Sequence, residues 1–204
     1  MCVAIREKLV TEISPADIFD LITQQTPEDA FLDFKKEILD PRKPPERLDA
    51  DKADWVADVV GFANAQGGHI LIGVDEDQGR ASRLKPIAGD QANRLAVQLR
   101  DLAIGNIKPG IAQLEVAAVE ITVREWIVIA RVPHSPDKPH MSTYNSGTRF
   151  TLRVGNRKRE MAYDEIQKLF LAGPQQQLIV RFLSEIESIN SRLADLEKTL
   201  RKAD

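Results

Sequence analysis

The segment from Glu28 to Asp75 constrains the fold of this chain more than any other stretch. It holds a short acidic and apolar segment, EDAFLDFKKE, then a helical pattern that ends in FANAQGG, and then the apolar run HILIGVDEDQG. Alternation in the first part and a continuous apolar run in the last part predict two strands. A strand that is apolar throughout is typical of one buried on both faces, with its polar end at the sheet edge.

Three carboxylates lie at the edges of these two predicted strands. Side chains of an extended segment alternate between faces, so Asp33 and Lys35 point the same way. If the strands are neighbours, Asp33 and Asp75 face one crevice, and Glu28 reaches it from the turn before the first strand. Because hard oxygen ligands suit Mg²⁺ or Mn²⁺, the three acids are a candidate metal site. The alternative is that Asp33 and Lys35 are solvated and Asp75 belongs to a turn.

Four sequence blocks together resemble a known family. They are EDAFLDFK from Glu28, GFANAQGG from Gly61, ILIGVD from Ile70 and LRVGN from Leu152. In order and spacing they are similar to the Schlafen AlbA-type domain, over about residues 26 to 171. The resemblance implies a mixed sheet flanked by helices.

The resemblance also implies functions. Bacterial members of the family are described as DNA-binding or ATP-binding domains, and some Schlafen proteins are endoribonucleases that use a Glu, Glu and Asp set. By resemblance that set falls on Glu28, Asp33 and Asp75 as catalytic and metal-binding residues, with Mg²⁺ or Mn²⁺ as cofactor. Asp33 stands where the family usually has Glu, which withdraws the carboxylate by about one C–C bond. The sequence has no Walker-type glycine-lysine loop, so ATP binding ranks last.

Basic residues are concentrated locally although the whole chain is acidic. The net charge of −3 argues against a nucleic-acid binder that works by bulk attraction. Residues 149–159 nevertheless contain five basic residues and no acid, and a second basic cluster flanks the carboxylate segment. Local patches of this kind bind a phosphate backbone, and the alternative is a solvated hairpin tip. The candidate nucleic-acid-binding residues are Lys35, Lys36, Arg149, Arg153, Asn156, Arg157, Lys158 and Arg159.

Periodicity and turn residues predict a mixed α/β, or α+β, fold.

Two local features of the sequence have alternative interpretations or no assigned role. Gly67-Gly68 predict a left-handed helix cap, with a phosphate cradle as the alternative. His134 and His140, on a proline-rich loop, are predicted surface residues. Helices are predicted at 15–25, from Trp55 to Ala63, from Asp90 and at 163–171; strands at 114–121, 126–132 and 149–154; and irregular chain from Leu39 to Lys52.

The C-terminal segment carries the apolar seam of a coiled coil. Gly173-Pro174 is predicted to break the chain before it, which gives an N-terminal helical segment at 1–25, a domain at 26–172 and a helix at 175–204. A homodimer is favoured over a helix packed on its own domain, because charges occupy the other positions. The seam residues are Ile179, Phe182, Ile186, Ile189, Leu193, Leu196 and Leu200.

Composition excludes several classes of protein. Hydrophobic residues make up 43% and charged residues 29%, which fits neither a disordered chain nor a membrane-spanning one. Cys2 is the only cysteine, so an internal disulfide and a cysteine-based zinc site are excluded. The first ten residues lack the apolar core of a secretory signal, so we expect a cytoplasmic protein.

Overall fold

The computed structural model describes residues 5–200, except for the side chains of 173–181 and 193–200. The α-helices are α1 Pro15–Thr23, α2 Pro45–Asn64, α3 Gly89–Asn106 and α4 Tyr163–Leu200, and 3₁₀ helices cover Val10–Glu12 and Tyr144–Ser146. The strands are β1 Leu32–Lys35, β2 Gly68–Ile72, β3 Val74–Asp77, β4 Arg80–Leu84, β5 Ile87–Ala88, β6 Ile107–Lys108, β7 Glu115–Thr122, β8 Glu125–Val132, β9 Met141–Ser142, β10 Thr151–Val154 and β11 Arg157–Glu160.

A mixed five-stranded sheet organises the first of two compact units, Met1–Ala162. Strand β1 pairs in parallel with β2, and β2 pairs antiparallel with β8. Strand β8 also pairs antiparallel with β5 and β7. The hairpins β3–β4 and β10–β11 and the pair β6–β9 lie outside this sheet. The fold is therefore of the mixed α+β class that the sequence predicts.

Each face of the sheet packs against its own group of helices. One face meets α2 and α3, where Trp55 and Phe62 are fully buried and Trp55 Nε1 donates to Leu99 O at 2.9 Å. The other face meets the N-terminal segment, including Ile18 and Leu21 of α1. Because both faces are covered, β2 is apolar from Ile70 to Ile72.

Several predicted elements are confirmed close to their expected bounds. Helix α1 begins after Ser14, whose backbone N–H donates to Asp17 Oδ2 at 2.8 Å and whose hydroxyl accepts from the Asp17 backbone. Helix α3 and strands β7 and β8 also appear as predicted. Gly67, with φ of 77°, follows α2, and its N–H donates to Phe62 O at 2.9 Å. That left-handed conformation confirms the predicted cap.

The sequence predicts irregular chain from Leu39 to Lys52, but the second half of this segment is helical. Helix α2 begins at Pro45, ten residues before the apolar stripe at Trp55. Pro44 is the N-cap and Pro45 the first helical residue, where a proline lacks only an N–H that no helical carbonyl would accept. Pro44 and Pro45 therefore mark a helix start.

The apolar run at Ile70 divides into two strands rather than one. Strand β2 ends at Ile72, and Gly73 has φ of 101°, a value that favours glycine. The chain then continues as β3, which pairs with β4 and places Asp75 opposite Arg83. Asp75 is thus inside a hairpin strand and not at the polar end of a buried one.

His140 is buried, which corrects its prediction as a surface residue. Its ring is 0% exposed and contacts Pro109 O through Nδ1 at 2.8 Å and Ser135 Oγ through Nε2 at 2.7 Å. A carbonyl can only accept, so Nδ1 carries the hydrogen and Ser135 donates to Nε2. Burial lowers the pKa of His140 below its ordinary value. His134, by contrast, is exposed as predicted.

The second unit, Tyr163–Asp204, contains helix α4. The helix runs through Gly173-Pro174, where the sequence predicted a break. A proline inside a helix removes one backbone hydrogen bond and kinks or breaks the helix, and here the helix continues past it. The side chains of Ile179, Leu193, Leu196 and Leu200 lie outside the described part of the chain, so the full predicted seam is not traced.

Candidate nucleic-acid interface

Strands β10 and β11, which we call the ribbon, have two chemically different faces. Residues opposite each other in an antiparallel pair share a face, so Arg153 and Lys158 lie together. Both have limited exposure, and they form the inner face. The outer face carries Leu152, Val154, Arg157 and Arg159, and the last three are exposed.

The inner face joins a group of five charged residues that we call the ionic cluster. Arg153 Nη1 donates to Asp33 Oδ1 at 2.9 Å. Lys35 Nζ lies 3.1 Å from Asp33 Oδ2 and 2.7 Å from Asp58 Oδ2. Lys158 Nζ lies 2.7 Å from Asp58 Oδ1. These ion pairs connect strand β1 to helix α2 and to both strands of the ribbon.

The ionic cluster is largely removed from water. Asp33 is 7% exposed and Asp58 is 4% exposed. Burial raises the pKa of Asp58 above its ordinary value, while the nearby Lys35 and Lys158 oppose that rise. Burial lowers the pKa of Lys35, but Asp58 and Asp33 together raise it above its ordinary value. The ion pairs therefore hold Lys35 in its charged form.

Arg153 makes further contacts that fix its guanidinium. Nε donates to Asp29 O at 2.9 Å and Nη2 donates to Leu32 O at 3.0 Å. The guanidinium carbon lies 4.3 Å from the centre of the Phe62 ring, which is a cation–π contact. This single side chain joins the ribbon to the segment before β1, to β1 itself and to α2.

Helix α2 supports the ribbon through residues that the sequence analysis did not select. Asn64 Nδ2 donates to Thr151 O at 2.9 Å and to His140 O at 2.8 Å, and Asn64 Oδ1 accepts from His140 N at 2.6 Å. Asp58 belongs to the ionic cluster. A sequence signal for both residues exists: Asp58 and Asn64 are an acid and an amide within the apolar stripe of α2.

Glu28 contacts the open edge of β1. Its Oε1 accepts from Phe34 N at 2.9 Å, and its own N–H donates to Gly79 O at 2.8 Å. Burial raises the pKa of Glu28 above its ordinary value, Asp33 and Glu76 adding to the rise, although the Phe34 N–H opposes it. Glu28 thus holds β1 beside the β3–β4 hairpin.

Asp75 contacts a different set of groups. Arg83 Nε donates to Asp75 Oδ2 at 2.8 Å, and Lys36 Nζ lies 3.5 Å from the same oxygen. The hydrogen bond from Arg83 lowers the pKa of Asp75 below its ordinary value, and Lys36 adds to the shift. The carboxylate is therefore the counter-ion of two exposed cations.

Sequence comparison identifies the family. The family model described as Schlafen, AlbA_2 matches residues 28–162. The chain belongs to the Schlafen AlbA_2 family. The match covers β1 through β11, so it includes the ionic cluster and the ribbon. No curated protein matches the chain.

Two solved structures resemble this Schlafen AlbA_2 chain at low identity. The DIP2311 protein of Corynebacterium diphtheriae is 17% identical with a TM-score of 0.48, and the match covers 76% of this chain and 27% of that one. The N-terminal domain of a RecG-related protein from Nitrosomonas europaea is 16% identical with a TM-score of 0.45, covering 70% and 88%. The chain thus spans about a quarter of the length of the C. diphtheriae protein.

The three acids that the Schlafen resemblance assigns to a metal site do not fit a metal ion in this structure. Both oxygens of Asp33 lie against cations, and Asp75 Oδ2 lies against Arg83 and Lys36. Among the side chains that the structure describes, no group of three or more His, Cys, Asp or Glu could hold a metal ion. The structure therefore does not bring Glu28, Asp33 and Asp75 together as a metal centre.

The eight predicted nucleic-acid-binding residues separate into two groups in this Schlafen AlbA_2 domain. Lys35, Arg153 and Lys158 belong to the ionic cluster and point away from the outer face of the ribbon. The other five remain accessible. They are Lys36, 47% exposed beside Asp75; Arg149, 70% exposed with Nε 4.0 Å from Glu160; exposed Arg157; exposed Arg159, which donates to Glu160 O; and Asn156 in the exposed turn.

The search for a membrane span gave a negative result. Within residues 5–200, no helix has both the length and the apolar character that crossing a bilayer requires.

Proposed function

We propose that this Schlafen AlbA_2 chain binds nucleic acid through the outer face of the ribbon. The observation that supports this most is the separation of charge between the two faces. The inner cations Arg153 and Lys158 neutralise buried acids, whereas Arg157 and Arg159 are exposed. Arginine guanidinium groups donate to phosphate oxygens and displace condensed counter-ions, which supplies sequence-independent affinity.

The rest of the basic surface extends this interface. Arg149 is 70% exposed, and Asn156 lies in the two-residue turn of the ribbon. A Cβ built on Gly79 would lie 3.8 Å from Asn156 Nδ2, so the tips of the two hairpins are adjacent. Because the net charge of the chain is −3, the affinity must come from this local patch.

Duplex DNA is the form of nucleic acid that the ribbon fits best. A two-stranded β-ribbon can enter the major groove of B-form DNA, whereas the major groove of A-form RNA is too narrow for side chains to read. Single-strand binders stack bases on aromatic side chains, and residues 151–160 contain none. We therefore expect duplex DNA to bind more tightly than single strands or duplex RNA of the same sequence.

The test is fluorescence anisotropy with one labelled duplex, its single strand and the matching RNA duplex, over a range of salt concentrations. Replacing Arg157 and Arg159 with alanine should weaken DNA binding about tenfold or more and reduce the salt slope by about two, roughly one per lost phosphate contact. The matched control is Arg124→Ala, since Arg124 is exposed on the β7–β8 turn. Equal affinities of the double variant and Arg124→Ala would contradict the proposal.

We also propose that the chain forms a homodimer through α4. Phe182, Ile186 and Ile189 follow one another at spacings of four and three, which is the spacing of a coiled-coil seam. Their exposed fractions in the single chain are 57%, 51% and 56%. A second copy of the helix would cover these side chains, and two ribbons in one molecule would raise the apparent affinity for a duplex with two sites.

Metal-dependent cleavage of structured RNA is the alternative activity, and it rests on the family resemblance alone. Its test is incubation of tRNA with the protein and Mn²⁺ or Mg²⁺, with Asp75→Asn as the comparison. Equal cleavage by the variant would remove Asp75 from the chemistry. ATP binding has the same basis, and failure to retain labelled ATP at millimolar concentration would exclude it.

A further inference from the structure

We propose that Asp33 is the buried counter-ion that positions the ribbon, and that it does not ligate a metal in this chain. Its two oxygens lie against cations on different elements: Oδ1 accepts a hydrogen bond from Arg153 of β10, and Oδ2 forms an ion pair with Lys35 of β1 at 3.1 Å without a hydrogen bond. A metal ion at Asp33 would have to displace at least one of them. The contact with Arg153 is the more consequential, because that side chain is only 3% exposed.

Charge balance supports this role. Asp33 and Asp58 face the cations Lys35, Arg153 and Lys158, and the more exposed Asp54 adds a third acid 2.6 Å from Lys158. These three positive and three negative charges cancel, and Glu28, which interacts with both Asp33 and Arg153, adds one further acid beside them. An added divalent cation would leave an excess of positive charge in a site with little water, which is strongly unfavourable.

The geometry of Arg153 explains why the counter-ion has a positioning effect. The guanidinium is fixed by Asp29 O, Leu32 O and the Phe62 ring as well as by Asp33. It enters from the inner face of the ribbon, and Val154, the next residue, lies opposite Arg157. Loss of the Asp33 charge would therefore release the inner face and shift the exposed arginines that face the nucleic acid.

The shorter side chain at position 33 is consistent with this inference. A Glu at this position would push the carboxylate about one C–C bond further into the space that Arg153 and Lys35 fill. The variant Asp33→Glu therefore distinguishes a metal ligand from a packed counter-ion. A metal ligand should tolerate the longer carboxylate, whereas a packed counter-ion should be destabilised by it.

The first experiment measures thermal unfolding of the full chain with and without Mn²⁺, together with Mn²⁺ titration by calorimetry. We expect no Mn²⁺-dependent rise in the Tm of the wild-type chain and no binding heat. Without metal, Asp33→Asn should lower the Tm by about 10 °C, because it leaves a buried guanidinium without a counter-charge. Asp75→Asn, at an exposed ion pair, should lower it by no more than about 3 °C. Stabilisation of the wild-type chain by Mn²⁺ that disappears in Asp33→Asn would overturn the proposal.

The second experiment tests positioning and rests on the proposed function. Duplex-DNA affinity of Asp33→Asn is compared with that of Leu21→Ala, which destabilises α1 on the opposite face of the sheet. We expect about tenfold weaker binding for Asp33→Asn and near wild-type binding for Leu21→Ala, both below their Tm. Equal affinities would reject the positioning role. If the wild-type chain bound no nucleic acid, the proposed function would fail, while the Mn²⁺ result would still decide whether Asp33 ligates a metal.

Discussion

His69 shows how a polar residue is accommodated inside this sheet. It is 1% exposed, and its Nε2 lies 3.1 Å from Lys8 O, so Nε2 carries the hydrogen of the neutral ring. Nδ1 is buried and has no hydrogen-bond partner among the described residues. Burial lowers the pKa of His69 to about 4. The imidazole is thus neutral in the folded chain at neutral pH.

This lowered pKa predicts an acid-sensitive contribution to stability. The ordinary pKa of 6.5 lies above the folded value, so the unfolded chain binds more protons as the pH falls below 6.5. Stability from His69 is therefore complete above pH 6.5 and is lost progressively as the pH falls to about 4. The loss should amount to about 2 to 3 kcal/mol, measured by urea unfolding between pH 7.5 and pH 4.

The control for this prediction is His69→Gln, which removes the titrating ring and keeps a polar side chain. Carboxylates also titrate in this range, so the informative quantity is the difference between the two chains. The variant should lose about 2 to 3 kcal/mol less stability than the wild-type chain over the same pH interval. Parallel pH curves for the two proteins would show that His69 does not have a lowered pKa.

At the scale of elements, the connection between α2 and β2 depends on a glycine. Gly67 has φ of +77°, and a Cβ there would lie 2.6 Å from Val132 O and 2.7 Å from His134 N. Gly67→Ala should destabilise the chain by about 2 kcal/mol or more, because it adds backbone strain and steric overlap with backbone that cannot move aside. Chemical unfolding measures the change.

Gly105 provides the matched control. It lies in α3, and a Cβ there would have nothing within 4 Å. Gly105→Ala should therefore stabilise the chain by about 0.5 to 1 kcal/mol, since alanine restricts the unfolded chain and favours helix. A destabilising effect of equal size at both positions would mean that the conformation of Gly67 is not the cause.

Local patterns predicted some elements well. The helix predicted at 15–25 and the strand predicted at 149–154 depend on neighbours in sequence, and both are observed. The division at Gly73 and the start of α2 at Pro45 were missed, because the signals, one glycine and two prolines, also fit other conformations. Burial of His140 depends on Asn64, which is 76 residues away, so no local pattern reports it.

The candidate site was predicted only in part for the same reason. The shared face of Asp33 and Lys35 follows from strand alternation and is observed. Their pairing with Asp58 and Arg153 depends on how α2 and the ribbon pack against β1, which sequence spacing does not determine. The clustered basic residues at 149–159 looked equivalent in the sequence, but the register of the ribbon assigns Arg153 and Lys158 to one face and Arg157 and Arg159 to the other.

At the scale of the whole molecule, the seam of α4 predicts a concentration-dependent dimer. Ile186→Glu should shift the mass measured by light scattering after size exclusion from dimer toward monomer, because a charge at a seam position loses its solvation on association. The control is Ile104→Glu in α3, since Ile104 is also an exposed isoleucine, at 60%. A wild-type chain that remains monomeric at millimolar concentration would exclude the dimer.

The outer edge of β1 has consequences for how these molecules behave when crowded. Along that edge, Phe34 N is bonded to Glu28, and Leu32 O accepts from both Arg153 and the Asp29 backbone. An unpaired strand edge is a template on which a strand of another chain can add and begin aggregation. In this chain, Phe34 N and Leu32 O on that edge already have hydrogen-bond partners from the same chain. Resistance to fibre-like self-association is therefore built into the contacts that hold the ribbon.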